Sequence, residues 1–239
     1  MNLPVVDVFQ PPYEIYNTQK ATLEEMLAPG KLILDVSGDP ELSISTAHDA
    51  ANHMAKVGID DRLSHFVKNA LDNSPSYKAW RKAMPSSTPP ELSRYQKHYQ
   101  NCDLDKVSKV INEVGRVLGE GQFLYHGGRW NGLYSYSMIR PFSTSLCPQI
   151  ALINGNHAGK AFKDDRIDLL VLRVTNPKVK AFVFKPNGTT HGHELEVLFS
   201  AGAELTLRSE TLVRADYPVG ISGYSCRYIP IYVLEVDIS

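Results

Sequence analysis

From Asp105 to Leu118 the apolar residues Val107, Val110, Ile111, Val114, Val117 and Leu118 recur at helical spacing. They draw one stripe along a helix that Gly119 or Gly121 would stop. Weaker helices precede it. Thr46 and Asp49 have the spacing of a capping box, with Asp in place of the usual Glu, and Ala47, Ala50, Ala51 and Met54 follow with helical period up to Gly58. Asp60 or Asp61 can cap the next helix, whose apolar face is Leu63, Phe66, Val67, Ala70 and Leu71. Further helical pieces are expected at 20–28, 77–84 and 91–99, with a short strand at 31–36 ended by Ser37-Gly38-Asp39-Pro40. Beyond Gly121 the texture changes. The stretches 122–126, 169–174, 181–184, 194–199, 204–213 and 228–237 carry β-branched and aromatic residues and read as strands, with short helices only at 148–153 and 158–162. Helices first and mostly antiparallel strands after predict the α+β class. Pro85-Ser86-Ser87-Thr88-Pro89-Pro90 is the most loop-like stretch. The division expected is a helical N-terminal region over 1–103 and a β-rich core over 104–239, packed as one unit.

Composition narrows the function classes. With 43% hydrophobic and 21% charged residues the 239-residue chain has material for a substantial core. A net charge of −1 supplies no global basic field for nucleic acid or an anionic membrane, though a local patch stays open. No apolar run is long enough to span a bilayer, and MNLPVVDVFQPPYEIY lacks the basic start and unbroken apolar run of a signal peptide. Cys102, Cys147 and Cys226 are odd in number and without CxxC spacing. Free thiols in a reducing, cytoplasmic compartment are therefore expected, with delivery to a target cell left open.

The chemistry concentrates in His193-Glu194-Leu195-Glu196-Val197-Leu198-Phe199. On a strand running from Glu194 to Phe199, the carboxylates of Glu194 and Glu196 share one face. Each raises the other's proton affinity, and burial adds to the shift. Two other stretches accompany this one. Phe123-Leu124-Tyr125-His126-Gly127-Gly128 is a strand ending in a histidine and two glycines, and Arg140-Pro141-Phe142-Ser143-Thr144-Ser145-Leu146 is a strand end rich in hydroxyls.

In order and type these three stretches resemble the motifs of the mono-ADP-ribosyltransferase superfamily, toxin-like enzymes that transfer ADP-ribose from NAD. The family's Arg or His at the end of the first core strand falls on His126. Its aromatic-Ser-Thr-Ser element falls on Phe142 with Ser143, Thr144 and Ser145, and its Glu-x-Glu-Val-Leu on Glu194 to Leu198. The resemblance covers about 123–207. It departs from the family in one respect: members with the second and third motifs usually carry Arg in the first, while His belongs to another branch. Arg129 and Arg140 lie nearby. The fold implied is a split antiparallel β-sandwich.

What the resemblance implies for the site can be stated residue by residue. Loss of nicotinamide develops positive charge on the ribose, an oxocarbenium-like state that a carboxylate stabilises. Glu196 takes that role by motif position, Ser143 orients it, and Glu194 accepts a proton from the incoming nucleophile. His126 donates to the adenosine-side ribose, and Gly127 lets the backbone approach the dinucleotide. Tyr125, Phe142, Thr144, Ser145 and Arg129 complete the NAD-binding set. A Glu at position 194 goes with protein arginine as acceptor. A bacterial or phage toxin or effector is the implied role, and a cognate inhibitor or antitoxin the implied partner. The rivals are an NAD glycohydrolase or nucleic-acid transferase on the same site, and a non-catalytic NAD-pocket interaction module. A cupin-like metal protein is the remaining one, suggested by His191-Gly192-His193 with a following Glu. The cupin glutamate lies further downstream and no second histidine motif follows, so no metal is expected.

Overall fold

The computed structural model describes residues 2–20, 22, 26, 35–186, 191–221 and 224–239. The helix expected at 20–28 and the strand expected at 31–36 lie for the most part outside these residues. Ahead of them, the N-terminal segment is tied to the back half of the chain by a few hydrogen bonds. Leu3 N–H donates to Val117 O at 2.8 Å. The Gln122 amide pairs with Val6 in both directions, accepting its N–H at 2.7 Å and donating to its carbonyl at 3.0 Å. Strands β1 (Tyr13–Lys20) and β2 (Asp35–Ile44) form a separate antiparallel ribbon. The expected stop at Gly38-Asp39-Pro40 lies inside β2 instead. The ladder shifts register where Pro40 meets Tyr16, and a two-stranded ribbon, whose strands are all edges, tolerates a proline at such a bulge.

Helices α1 (Ala47–Val57), α2 (Asp61–Asn73), α3 (Pro75–Ala83), α4 (Pro90–His98) and α5 (Leu104–Val114) follow. Thr46 caps α1 through its hydroxyl, which accepts Asp49 N–H at 3.0 Å, and Gly58 ends it at φ +88°. Asp60 caps α2. Helix α5 stops four residues earlier than its apolar stripe predicts. It ends at Gly115, where the backbone turns extended at ψ 174°, and only glycine fits there, since a Cβ would stand 2.5 Å from Ile111 O and 2.7 Å from Ala181 O. Val117 instead belongs to a two-residue strand, β3 (Arg116–Val117), which pairs with Lys180 and Ala181.

The remaining strands are β4 (Phe123–Gly128), β5 (Ser135–Ser137), β6 (Phe142–Ser145), β7 (Ile167–Val174), β8 (Lys180–Val183), β9 (Glu196–Phe199), β10 (Glu204–Val219) and β11 (Arg227–Ile238). Between β6 and β7 lie α6 (Pro148–Asn156) and α7 (Lys160–Asp164). With β3 the strands make one sheet in the order β3-β8-β9-β6-β4-β7-β11-β10-β5. Every neighbour is antiparallel except β7 and β11, which run parallel. The fold is α+β, as expected, and the sheet is in two halves. Strand β4 follows β7 along its whole length but meets β6 at the single pair Tyr125 and Ser145. Beyond that pair the half-sheets part.

One hydrophobic cluster runs through both halves of the chain, from Leu3 and Trp80 to Leu124, Leu172 and Val233. Helix α6 crosses β4 so closely that a Cβ on Gly127 would lie 1.8 Å from Ala151 O. Among the described residues no helix is long and apolar enough to cross a membrane.

Candidate active site

Strand alternation sends Leu124 and His126 to one side of β4, and Phe123, Tyr125 and Gly127 to the other. At the parting of the half-sheets the Ser143 carbonyl has no ladder partner on β4, whose only pair with β6 is Tyr125 and Ser145. The His126 imidazole fills the gap, its Nδ1 2.8 Å from Ser143 O. A carbonyl only accepts, so Nδ1 carries the proton. Burial pushes the His126 pKa down to about 4, against the pull of the Ser143 carbonyl, and the charges of Lys160 and Arg140 lower it further. The ring is therefore neutral near pH 7, and its Nε2 is an acceptor. The proton on Nδ1 is already given to Ser143 O, so the neutral ring has none left on Nε2 for the donor role expected of His126. A Cβ on Gly128 would stand only 3.2 Å from that Nε2, so glycine leaves the nitrogen uncovered. The Phe142 ring backs the imidazole at 4.6 Å between centroids.

Ser143 joins the histidine to the acid. Its carbonyl holds His126 while its Oγ donates to Glu196 Oε1 at 2.7 Å across the β6–β9 ladder. Glu196 is 5% exposed. Its second oxygen, Oε2, accepts from Gln96 Nε2 at 2.9 Å. Burial raises the Glu196 pKa, the hydrogen bonds of Ser143 and Gln96 oppose the rise, and the nearby Glu194 charge adds to it. Tyr95, one residue before Gln96 on α4, is buried and held protonated by desolvation and by the Glu196 charge.

The two acids do not share a strand face. Strand β9 begins at Glu196, whereas Glu194 closes a 3-10 turn over Gly192–Glu194. Leu195 between them sits at φ +49°, in the left-handed region, which breaks the alternation of a continuous strand. Glu194 is held by His191, Nδ1 to Oε1 at 3.0 Å, and remains partly exposed.

Several residues expected at the NAD site have other partners. Tyr125 is buried in the core, and its hydroxyl donates to Ala47 O at 3.1 Å. Thr144 Oγ1 donates to Val197 O at 2.7 Å, which ties β6 to β9. Ser145 Oγ donates to Glu194 O at 2.7 Å and accepts Cys147 N–H at 3.0 Å, so it braces the turn that carries Glu194. Gly127 is required by the crossing of α6, on the face away from His126. Arg129 leans toward the buried Asp168, with Nη1 3.4 Å from Oδ2. Arg140 is exposed, and its charge is felt at both His126 and Tyr95. Gln96 was not among the expected residues. It lies 100 positions from its partner, on a helix whose neighbours Arg94, Lys97 and His98 suggest only a solvated face.

Among the described residues no group of three or more His, Cys, Asp or Glu stands together as a metal site. A cavity of about 500 Å³ lies elsewhere, floored by Val171, Arg173, Glu235 and Asp237. Val171 pairs with Tyr125 in the ladder, which puts this cavity on the side of the sheet away from His126.

No protein-family model matches the chain, and no curated protein matches it. Among solved structures it is similar to ADP-ribosyltransferase Vis in complex with an inhibitor, at 12% identity and TM-score 0.43, over 76% of this chain and 86% of that one. Plx2a, an ADP-ribosyltransferase toxin from Paenibacillus larvae, is similar at 12% identity and TM-score 0.39, over 68% and 90%. C3stau2 from S. aureus with NAD is similar at 14% identity and TM-score 0.39, over 66% and 91%.

Proposed function

We propose that the chain cleaves NAD and transfers ADP-ribose to a macromolecular acceptor, most favourably protein arginine. One observation carries the reading: a buried Glu196, clamped by Ser143 Oγ, stands with the neutral His126 where the two half-sheets part. Nicotinamide leaves with the electron pair of its bond to the ribose, and the sugar becomes cationic. Glu196 accepts a hydrogen bond from a ribose hydroxyl and stabilises that charge, and because the acid is 5% exposed the interaction is stronger than it would be in water. His126 accepts from a hydroxyl of the adenosine-side ribose through Nε2. Arg140, exposed beside the histidine, is the guanidinium suited to the pyrophosphate. An arginine guanidino nitrogen of the acceptor then bonds to the ribose carbon and gives up a proton to Glu194. A toxin or effector role rests on the motif resemblance alone.

A second reading has one observation in its favour. Glu194 is held by His191 in a turn and not aligned with Glu196 on the strand. Water as acceptor needs no such alignment, and the same site would then be an NAD glycohydrolase. Incubation with labelled NAD and fractionated lysate, followed by mapping of the modified residue, separates the two. Label on an arginine supports transfer. Free ADP-ribose with no labelled macromolecule in any fraction contradicts it.

A further inference from the structure

Helix α4 brings a side chain from the N-terminal half of the chain into contact with the acid that the proposed reaction depends on. Leu92 and Tyr95 bury its inner face, and Gln96 follows them at the edge of that face. The Gln96 amide nitrogen lies 2.9 Å from Glu196 Oε2. Its placement is fixed by folded structure. Helix α4 packs on α5, and α5 on β8 and β9. Ser108 on α5 accepts the Ala201 N–H at 3.2 Å just beyond β9, and the Arg81 guanidinium of α3 donates to Val183 O at the end of β8. Helix and strand thus hold a common frame.

A carboxylate with 5% exposure has few ways to be satisfied. Ser143 supplies a donor for Oε1, and Gln96 supplies one for Oε2. Without the amide, Oε2 would lose its partner inside the protein, and the carboxyl would be free to rotate or to take up a proton. Each carboxylate oxygen accepts two hydrogen bonds, so the Gln96 contact leaves a lone pair on Oε2 for substrate. We propose that Gln96 is a positioning residue for the NAD-cleaving reaction, its amide fixing the Glu196 carboxylate so that one lone pair of Oε2 faces the ribose. The inference rests on the NAD reading of the site. It makes the helical half of the chain part of the active site.

The electrostatics around Glu196 agree. Burial raises its pKa and the two hydrogen bonds lower it, while from the turn Glu194 raises it and His191 lowers it. On α4, Tyr95 interacts with the same charge and is itself influenced by Arg140. Loss of the amide removes one of the two hydrogen bonds that favour the ionised acid.

Gln96→Met keeps the length of the side chain and removes the donor, and Gln96→Ala serves where the first variant does not fold. The Glu196 carboxyl resonance is followed by NMR across pH, identified by its absence in Glu196→Gln, and nicotinamide release from NAD is measured in parallel. The expected result is a Glu196 titration displaced to higher pH in the Gln96 variants. With it, kcat should fall about tenfold near neutrality, of the order of one charge-assisted hydrogen bond, its acid limb should move up, and KM should change little. An unchanged titration overturns the proposal, as does a rise in KM with kcat intact, which would make Gln96 an ordinary NAD contact. If wild-type protein releases no nicotinamide while the titration still shifts, the NAD reading fails and the clamp on Glu196 stands.

Discussion

Glu194 and Glu196 are the same residue two positions apart, and the fold gives them different surroundings. Glu196 opens strand β9, is buried, and has a donor on each oxygen. Glu194 closes a turn, is partly exposed, and leans on one histidine. The difference comes from the backbone of Leu195, whose φ of +49° turns the chain between them. A carboxylate enclosed by fixed dipoles suits the stabilisation of a developing cation. One in a partly exposed turn suits exchange of a proton with an incoming group.

The contrast can be attacked through substitutions. The largest effect expected is from Glu196→Gln. Turnover of NAD should fall by at least about a hundredfold, the scale of losing a principal electrostatic contact to a transition state, while NAD affinity measured by calorimetry stays near wild type. A loss of affinity with turnover preserved would place Glu196 in ground-state binding instead. Glu194→Gln should behave differently, retaining nicotinamide release into water while arginine labelling disappears. Equal loss of both activities would remove the distinction between the acids. Ser143→Ala should cost about tenfold in kcat and displace the acid limb upward, since the hydroxyl favours the ionised form of Glu196.

The histidine side of the site is read through stability. The folded pKa of His126, about 4, lies below its ordinary 6.5, so the native state favours the neutral ring. Its contribution is fully present above about pH 6.5 and declines as pH falls toward 4, by at most about 1.4 kcal/mol per pH unit. Denaturant titrations should show that slope, and His126→Gln should flatten it in the same window. The smallest effect belongs to the turn. His191→Gln should change the unfolding free energy by less than about 1 kcal/mol, because the pair it forms with Glu194 is partly solvated.

What the sequence disclosed follows from the range of the interactions involved. The Thr46 cap, the Asp60 cap and the strands of the back half are set by residues within a few positions of one another, and the structure contains them. His126, Ser143 and Glu196 stand out in the sequence because their types and order are a recognisable set, and in the structure Ser143 bonds both of the others, His126 through its carbonyl and Glu196 through its hydroxyl. Three errors have a common origin in the third dimension. Nothing local tells Leu195 to turn left-handed, so Glu194 reads as part of a strand. At the early end of α5, Gly115 lies against the Ala181 carbonyl, 66 positions away in a strand the helix cannot foresee. Tyr125 belongs to the motif by sequence, yet strand alternation sends it to the core beneath α1, where it bonds Ala47 O. The Gln96 contact is the plainest case, a polar residue whose purpose depends on a strand formed a hundred residues later.

On the proposed reading, Glu196 drives loss of nicotinamide from NAD. Single-turnover release from nicotinamide-labelled NAD, with enzyme in excess, tests it directly in wild type and Glu196→Gln. Wild type should release nicotinamide in one rapid phase and the variant at a rate at least about a hundredfold slower, both proteins folded and binding NAD. Equal rates, or no release from a wild type saturated with NAD, would contradict it.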